Sequence, residues 1–419
     1  MKKDELIALG VSAKRASYEL LSEDRKNSFL STLARIIRAD MDVVLCANEK
    51  DISRAESTGL SAPMLERLKL TKSRIEAIAA GVDAIVQLPD PVGNVIESTM
   101  NPDGLRINKV SVPIGVIGII YESRPNVTID CAALCFKSGN ACILRGGKEA
   151  FNTNRAFASL IEKALLAEGI NTSMIQVLPS TDRALLKEML HLDGFIDCII
   201  PRGGEALIRF VTEESRIPVI KHYKGVCSVY LDALADVSMA KDIVVNAKCQ
   251  RPGVCNAIEN LFVDEQFDEE ALVSILGALT EAEVELRVDS GIHSVLNKAG
   301  LPSKIATEDD FYEEFLALTL AVKHVSGVNG AIEAIHKYGS KHSEAIVTEN
   351  AKAAEDFLNK VDASTVYWNA STRFTDGSAF GLGAEIGIST DKLHARGPMG
   401  LRELCTYKYQ IVGKGQTRN

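Results

Sequence analysis

Apolar runs of strand length alternate with helical segments from residue 116 to residue 368, and this alternation restricts the fold more than any other feature of the sequence. The run from Val116 to Tyr121 is continuously apolar, which is typical of a strand covered on both faces of a parallel sheet. Strands that are joined by helices usually pair in parallel. The sequence therefore predicts an α/β fold with two doubly wound, Rossmann-type units that divide near residues 221–226.

The predicted elements form two series. The first has strands at 116–121, 141–145, 174–178, 195–200 and 217–220, and helices at 126–138, 150–167, 181–191 and 204–214. The second has strands near 226–231, 258–263, 317–325, 344–347 and 363–368, and helices near 238–249, 268–280, 328–337 and 351–359. Residues 12–88 have apolar positions at helical spacing, while 105–112 and 404–412 predict strands outside the two series.

Composition excludes several classes of protein. The 419 residues include 47 Lys and Arg against 56 Asp and Glu, a net charge of −9 that argues against broad binding of nucleic acid or of an anionic membrane. The longest strongly apolar stretch, 112–121, is too short to span a bilayer, and we expect a cytoplasmic protein. Nine cysteines without a CxxC pair argue against a disulfide framework, and without an HExxH pattern we expect no metal site.

The strongest local signal for chemistry is the turn that contains Cys255. Pro252 and Gly253 force a turn before this cysteine, so that its sulfur is expected to be exposed and close to backbone N–H dipoles. These dipoles, with Lys248 or Arg251, would lower the pKa of the thiol and favour a nucleophilic thiolate. A structural cysteine is the alternative, as expected for the four cysteines that lie in apolar runs: Cys131, Cys135, Cys142 and Cys198.

Two basic or glycine-rich turns follow predicted strands of the first series. Gly203 and Gly204 precede a predicted helix, where backbone N–H groups can face a phosphate, although the dinucleotide fingerprint GxGxxG is absent. Arg145 and Lys148 could bracket a ribose 2′-phosphate, which would favour NADP over NAD. An ordinary turn is the alternative for both segments, and for the glycine pair taken alone it is the favoured interpretation.

Taken together and in this order, these segments resemble the aldehyde dehydrogenase superfamily, and most closely its branch that reduces an acyl phosphate of glutamate in proline biosynthesis. The resemblance covers essentially the whole chain. The segments that carry it are Pro113–Asn126, Ser138–Ala150, Pro201–Gly204, Arg251–Ala257, His336–Glu344 and Tyr367–Gly377.

The resemblance implies roles for individual residues. Cys255 would be the nucleophile, and the side-chain amide of Asn126 would form the oxyanion hole with the backbone N–H of Cys255. Glu314 would bond the nicotinamide ribose. Arg145 and Lys148 would lie at the adenosine ribose or its phosphate. Gly203 and Gly204 would lie at the pyrophosphate.

The implied activity is NADPH-dependent reduction of L-glutamate 5-phosphate to L-glutamate 5-semialdehyde and phosphate, through a cysteine thioester. His222 stands where oxidising members have a glutamate that activates water, 33 residues before Cys255, which favours reduction over hydrolysis. Arg251 and Arg373 are predicted to anchor the anionic groups of the substrate, because a guanidinium matches phosphate and carboxylate oxygens. The alternatives are an oxidising aldehyde dehydrogenase and a non-catalytic member of the superfamily.

The resemblance also implies a domain organisation and partners. Residues 1–103 and 116–223 would bind NADPH, residues 224–385 would form the catalytic domain, and 104–115 with 401–415 would be oligomerisation strands. We therefore expect a homo-oligomer, a dimer or a tetramer, whose partner is a small molecule rather than nucleic acid or a membrane. The glutamate 5-kinase that supplies the substrate would be a separate protein.

Overall fold

A computed structural model describes residues 1–418, with the side chains of 62 and 63 left out of the description. The chain forms two compact units. The first comprises Met1–Lys221, Gly381–Gly387 and the segment from Met399 onward, and the second comprises His222–Phe380 and Ile388–Pro398. The boundary at residue 221 lies where the helix–strand alternation predicts a division. The chain returns to the first unit near its C-terminal end, which no local pattern in the sequence indicates.

The helices and strands are as follows. The helices are α1 (Lys3–Ala16), α2 (Glu23–Ala39), α3 (Met41–Ser57), α4 (Ala62–Leu68), α5 (Lys72–Val86), α6 (Asn126–Lys137), α7 (Phe151–Ala167), α8 (Arg183–Met189), α9 (Glu205–Glu214), α10 (Val237–Cys249), α11 (Glu269–Glu281), α12 (Ser290–Lys298), α13 (Gly327–Tyr338) and α14 (Ala351–Lys360). The strands are β1 (Val95–Met100), β2 (Arg106–Pro113), β3 (Val116–Tyr121), β4 (Ala141–Arg145), β5 (Ile175–Val177), β6 (Cys198–Arg202), β7 (Cys227–Leu231), β8 (Ile258–Asp264), β9 (Glu285–Val288), β10 (Lys304–Ile305), β11 (Thr319–Val325), β12 (Ser343–Val347), β13 (Thr365–Trp368), β14 (Ile388–Ser389), β15 (Gly397–Pro398) and β16 (Cys405–Val412).

The first unit contains a parallel sheet with the strand order β5-β4-β3-β6. All six residues of β3, the continuously apolar run, are buried, as expected for a central strand. The strand predicted at 217–220 is not formed, and only Val219 makes a single bridge to Ile199. Pro218 explains this difference, because it has no N–H to contribute to a ladder.

The second unit contains a seven-stranded parallel sheet with the order β10-β9-β11-β8-β7-β12-β13. Successive residues of β7 serve two cores. Val229 packs with α10, α11 and α12 on one face, and Tyr230 packs with α13 and α14 on the other. Both faces of the sheet are therefore covered by helices, and the predicted doubly wound α/β class is confirmed.

Five elements of the second unit escape the sequence pattern. The sequence does not predict β9, β10, α12, β14 or β15. Strand β9 is four residues long and buries only every second one fully, while both residues of β10 are exposed. These short strands at one edge of the sheet have no continuous apolar run by which the sequence could reveal them.

An antiparallel sheet with the order β1-β2-β16 belongs to the first unit. The strands predicted at 105–112 and 404–412 are β2 and β16, while the missed β1 is exposed along its whole length. The large apolar side chains that this sheet exposes are Val95, Ile96, Met100, Tyr407, Tyr409, Ile411 and Val412. Among the helices of residues 1–418, none combines the length and the apolar character needed to cross a bilayer.

Candidate active site

Cys255 lies in a turn between the end of α10 and the start of β8. The N–H of Ala257 donates to the carbonyl oxygen of Val254 at 3.1 Å, which closes the turn around the cysteine. Cys255 is half-buried, so its side chain remains accessible. By contrast, the four cysteines expected in the core are all buried: Cys131, Cys135, Cys142 and Cys198. Burial raises the pKa of the Cys198 thiol to about 12, which makes that thiol a poor nucleophile near neutral pH.

The start of β7 and the segment before it are in direct contact with the Cys255 turn. The thiol of Cys227 donates to the carbonyl oxygen of Cys255 at 3.1 Å. Gly225 is in close contact with the same residue, because a Cβ on Gly225 would lie 2.5 Å from the Cα of Cys255. The start of β7 and the Cys255 turn are thus held together by a thiol–carbonyl hydrogen bond across 28 residues and by the close approach of Gly225.

Asn256 ties the same turn to the segment Thr372–Thr375. Its side-chain N–H donates to the carbonyl oxygen of Thr375 at 2.8 Å, and the hydroxyl of Thr372 donates to the carbonyl oxygen of Asn256 at 2.7 Å. Since both bonds involve buried groups, the backbone on the C-terminal side of Cys255 is held on two sides. The backbone N–H of Cys255, the predicted oxyanion donor, therefore belongs to a turn with little freedom to move.

The predicted substrate anchor Arg373 lies near the other one, Arg251, and near Cys255. Arg373 donates through Nε to Oε1 of Gln250 at 2.9 Å. Burial lowers the pKa of Arg373, the positive charge of Arg251 lowers it further, and the thiol group of Cys255, when ionised, acts in the opposite direction. Two guanidinium groups and the sulfur thus share one electrostatic environment in the second unit.

Lys248, the other cation considered for Cys255, is committed elsewhere. Its ammonium donates to Oε2 of Glu259 at 2.5 Å and to the carbonyl oxygen of Ile258 at 2.9 Å, and both ionic side chains are fully buried. Burial raises the pKa of Glu259 to about 7, although the charge of Lys248 opposes this shift. Because the charge of Lys248 is compensated by Glu259, Arg251 is the better placed of the two cations to act near the thiol of Cys255.

Glu314 contacts Gly225, the glycine that packs against Cys255. Its Oε1 accepts a hydrogen bond from the N–H of Gly225 at 2.8 Å. The carboxylate is half-buried, so part of it remains accessible to a ligand. The bond of Glu314 to a nicotinamide ribose stays a prediction. The structure shows in addition that Glu314 is hydrogen-bonded to the same glycine that contacts Cys255.

His222 approaches His342, a second histidine to which the sequence alone assigns no catalytic role. The ring centroids of His222 and His342 are 5.9 Å apart in an edge-on arrangement. Nδ1 of His342 lies 2.8 Å from the hydroxyl of Ser343 and 3.5 Å from the thiol of Cys227. A polar chain therefore leads from His342 through Cys227 to the carbonyl of Cys255. Its signal in the sequence is the polar triplet His342–Glu344 at the start of an otherwise apolar strand.

A cavity of about 600 Å³ in the first unit collects the predicted cofactor ligands Arg145 and Lys148, together with Arg183, which the sequence analysis missed. Lys148 is exposed, whereas Arg145 is buried and donates through Nη2 to the carbonyl oxygen of Thr181 at 2.8 Å. Burial lowers the pKa of Arg145, and the nearby positive charge of Arg183 adds to this effect. The lining also contains the carboxylates Glu122, Glu149 and Glu214, so an anionic ligand would be bound by Arg145, Lys148 and Arg183 rather than by the cavity as a whole.

Gly203 and Gly204 lie between β6 and α9, as predicted. In the structure, the N–H of Gly204 donates to Oε2 of Glu122 at 2.9 Å. Gly203 is crowded by the same carboxylate, because a Cβ there would lie 2.5 Å from that oxygen. The helix N-terminus thus binds an anionic oxygen of the protein itself, and the predicted pyrophosphate contact requires this side chain to give way.

Asn126 is the first residue of α6 and is separated from the carboxyl end of β3 by residues 122–125. Its Nδ2 donates to Oδ2 of Asp130, one helical turn later, at 2.8 Å. A carboxamide has two N–H donors, so this bond leaves the second one available to another acceptor. Within residues 1–418, no group of three His, Cys, Asp or Glu residues is arranged to hold a metal ion.

Comparison with known proteins identifies the family. A sequence model of the aldehyde dehydrogenase family matches residues 16–298. A gamma-glutamyl phosphate reductase of Opitutus terrae is 54% identical over 415 residues, 99% of this chain and 98% of that protein. A second one, from Enterococcus faecalis, is 48% identical over 421 residues and covers 100% of both chains. The crystal structure of the Thermotoga maritima gamma-glutamyl phosphate reductase superposes with a TM-score of 0.96 at 42% identity, covering 99% of this chain and 100% of that one. The chain therefore belongs to the aldehyde dehydrogenase family, and within it to the gamma-glutamyl phosphate reductases.

Proposed function

We propose that this chain reduces L-glutamate 5-phosphate to L-glutamate 5-semialdehyde and phosphate in proline biosynthesis, with NADPH as the reductant and Cys255 as the nucleophile. The observation that carries the proposal is the Cys255 turn, half-exposed, supported by Gly225 and Cys227, and close to two guanidinium groups. It occurs in a chain with about half its residues identical to those of named reductases of this substrate.

The first step follows from the chemistry of an acyl phosphate. The Cys255 thiolate attacks the carbonyl carbon, a carbon–sulfur bond forms, and the carbonyl oxygen becomes negative. The carbon–oxygen bond to phosphate then breaks, phosphate leaves with the electron pair, and a thioester remains. Arg251 and Arg373 would bind the anionic groups of the substrate during this step, because a guanidinium pairs with two oxygens at once.

The negative oxygen needs hydrogen-bond donors that are already in place. We assign one to the backbone N–H of Cys255 and the other to the side chain of Asn126. Loss of one such donor raises a barrier of this kind by about 3 kcal/mol. The bonds that hold Asn256 in the Cys255 turn support this assignment, since a fixed N–H costs no reorganisation during the reaction.

The cations that line the cavity of the first unit support binding of the phosphorylated end of a dinucleotide. Nε of Arg145 is buried and has no hydrogen-bond partner among the described residues, and Lys148 and Arg183 add two further cations. These residues would hold the adenosine half of the cofactor and its 2′-phosphate. When bound, NADPH supplies the hydride that converts the thioester to the aldehyde. The role that the family resemblance implies for Glu314 is to bind the nicotinamide ribose.

His222 in place of a carboxylate base is consistent with this direction of the reaction. A general base that activated water would hydrolyse the thioester and waste the activated substrate. The ring of His222 lies edge-on to the ring of His342, with 5.9 Å between the ring centroids.

The reverse reaction tests the proposal. Wild-type protein is assayed with L-glutamate 5-semialdehyde and NADP⁺, with and without inorganic phosphate. A reductase of this kind requires phosphate for turnover, whereas an oxidising aldehyde dehydrogenase forms NADPH equally well without it. A folded protein that is inactive in both assays would support the non-catalytic alternative.

A matched pair of cysteine variants tests the nucleophile. Cys255→Ala should abolish turnover while NADPH binding, followed by nucleotide fluorescence, stays within twofold of wild type. Cys249→Ala is the control, because this cysteine is also half-buried and lies at the end of the preceding helix. Substantial turnover by folded Cys255→Ala would contradict the mechanism.

A further inference from the structure

We infer that Asp130 is a positioning residue, which holds the Asn126 carboxamide with its N–H groups, rather than its oxygen, toward the reacting carbonyl. This inference rests on the proposed function of Asn126. It concerns a residue whose contact with Asn126 is observed directly, at 2.8 Å between Nδ2 and Oδ2.

The chemistry of the two side chains makes the contact directional. An ionised carboxylate accepts hydrogen bonds and donates none, whereas a carboxamide presents N–H donors on one side and an acceptor oxygen on the other. Asp130 can therefore pair only with the nitrogen of Asn126. Rotation of the amide by 180° would bring two oxygens together and would also present an oxygen to the substrate in place of a donor.

The spacing of the two residues supports the same conclusion. Residues four apart on a helix lie one above the other on the same face, so a partner at 130 reaches a side chain at 126 without distortion. Asn126 is the first residue of α6, so no helical turn precedes it and the residues before it belong to a loop. The contact from Asp130 thus reaches its side chain from within the same rigid helix.

The surroundings of Asp130 allow the contact to be switched by protons. Burial raises the pKa of this carboxyl to about 6, while the hydrogen bond from Asn126 and the positive charge of Arg202 oppose the increase. The charged and titratable groups that face it among the described residues are Arg202 from β6 and Cys131 from its own helix. Protonated Asp130 can itself donate, so it no longer distinguishes the nitrogen of Asn126 from its oxygen.

The test is a double-mutant cycle on the reverse reaction across pH 5.5–8.5. Asp130→Asn keeps the shape of the side chain but removes the charge, and its turnover number should fall about tenfold to a hundredfold at pH 8. The KM for NADP⁺ should stay within twofold. In wild type the turnover number should fall below about pH 6, and this fall should be absent in Asp130→Asn. In the Asn126→Ala background, the same change at residue 130 should alter the turnover number by less than twofold.

A second readout needs no cofactor. Acylation of Cys255 by p-nitrophenyl acetate releases one burst of p-nitrophenolate per active thiol. This reaction also passes through a negative carbonyl oxygen that the same two donors would stabilise. The burst rate of Asp130→Asn should fall in parallel with its turnover number, while its thermal unfolding midpoint at pH 8 should rise, because a buried charge has been removed.

The outcomes separate this inference from the proposed function. If Asn126→Ala reacts like wild type, the role assigned to Asn126 is wrong. If Asn126→Ala is impaired but the effect of Asp130→Asn adds to it in full, or Asp130→Asn is as active as wild type, the positioning role of Asp130 is overturned. Asp130→Glu, which keeps a carboxylate, should recover part of the burst rate that Asp130→Asn loses.

Discussion

Gly225 and Cys255 are in direct backbone contact: a Cβ on residue 225 would lie 2.2 Å from the carbonyl oxygen of Cys255 and 2.5 Å from its Cα. No side chain fits at this position, since both of these neighbouring atoms belong to the backbone. The requirement for glycine here comes from close approach between two segments. This close approach connects Gly225, which is hydrogen-bonded to Glu314, with Cys255, the residue that we propose as the nucleophile.

Gly225→Ala should therefore displace the Cys255 turn. We expect the free energy of unfolding to fall by about 1–3 kcal/mol, as for overpacking elsewhere, and turnover to fall by at least a hundredfold. Gly253→Ala, in the same turn, is the control, because its nearest neighbour would be the carbonyl oxygen of Leu316 at 3.7 Å. Urea unfolding and the reverse-reaction assay measure both effects. Equal losses in the two variants would argue against a specific contact.

Cofactor preference should depend on the cations of the 600 Å³ cavity. Neutralising Arg145 and Lys148 together, both to Gln, should weaken NADPH binding about a hundredfold and NADH binding much less, because only NADPH has the 2′-phosphate. Lys187→Gln is the control, since Lys187 lines the same cavity but is paired with Glu214 at 2.7 Å. Fluorescence titration gives both affinities. Equal weakening of NADPH and NADH would remove the 2′-phosphate assignment.

Glu344 should make stability depend on pH. Its carboxyl is fully buried, neither oxygen has a hydrogen-bond partner among the described residues, and burial raises its pKa well above the ordinary value of 4.5, with the nearby hydroxyl of Ser228 opposing the shift. The folded protein therefore keeps a proton that the unfolded chain loses above about pH 4.5. Stability then falls as pH rises from 4.5 toward the folded pKa, by up to about 1.4 kcal/mol per pH unit.

Glu344→Gln removes this ionisation and should flatten that slope, so that the variant gains stability relative to wild type as pH increases. Urea unfolding at pH 5.5, 7.0 and 8.5 measures the difference. Glu333→Gln, on α13, is the control, because that side chain is exposed to solvent. An unchanged slope in Glu344→Gln would show that Glu344 is not the group responsible.

The exposed apolar side chains of β1 and β16 should mediate self-association. Tyr409 and Ile411 are 59% and 60% exposed on an antiparallel sheet whose β1 edge is unpaired among the described residues, and such a sheet favours burial against a second copy. Changing both residues to Lys should reduce the mass measured by sedimentation to that of one chain. Leu166→Lys on α7, with 64% exposure, is the control and should leave the mass unchanged. A wild-type protein that sediments as one chain would contradict the assignment.

Local pattern explains which parts of the fold could be predicted. In the buried strand Val116–Tyr121 and the amphipathic helices that follow, the pattern of apolar residues along the chain reveals which residues are buried. Strands β1, β9 and β10 do not, because they are short or exposed strands that lie at a sheet edge or, for β9, next to one, and they have no continuous apolar run. Strand 217–220 was predicted from its apolar residues and fails for a local reason, the missing N–H of Pro218.

The sequence by itself determined the α/β class, the turn that exposes Cys255 and the basic turn at Arg145 and Lys148, because each depends on residues adjacent in the chain. Only the tertiary structure decided that Gly225 packs against Cys255, that Glu314 accepts a hydrogen bond from Gly225, 89 residues away, and that Lys248 forms an ion pair with Glu259. The physical reason is that hydrogen bonds and close packing act over a few ångströms in space. Which distant residues come within that range is decided by the paths of the strands through the two sheets.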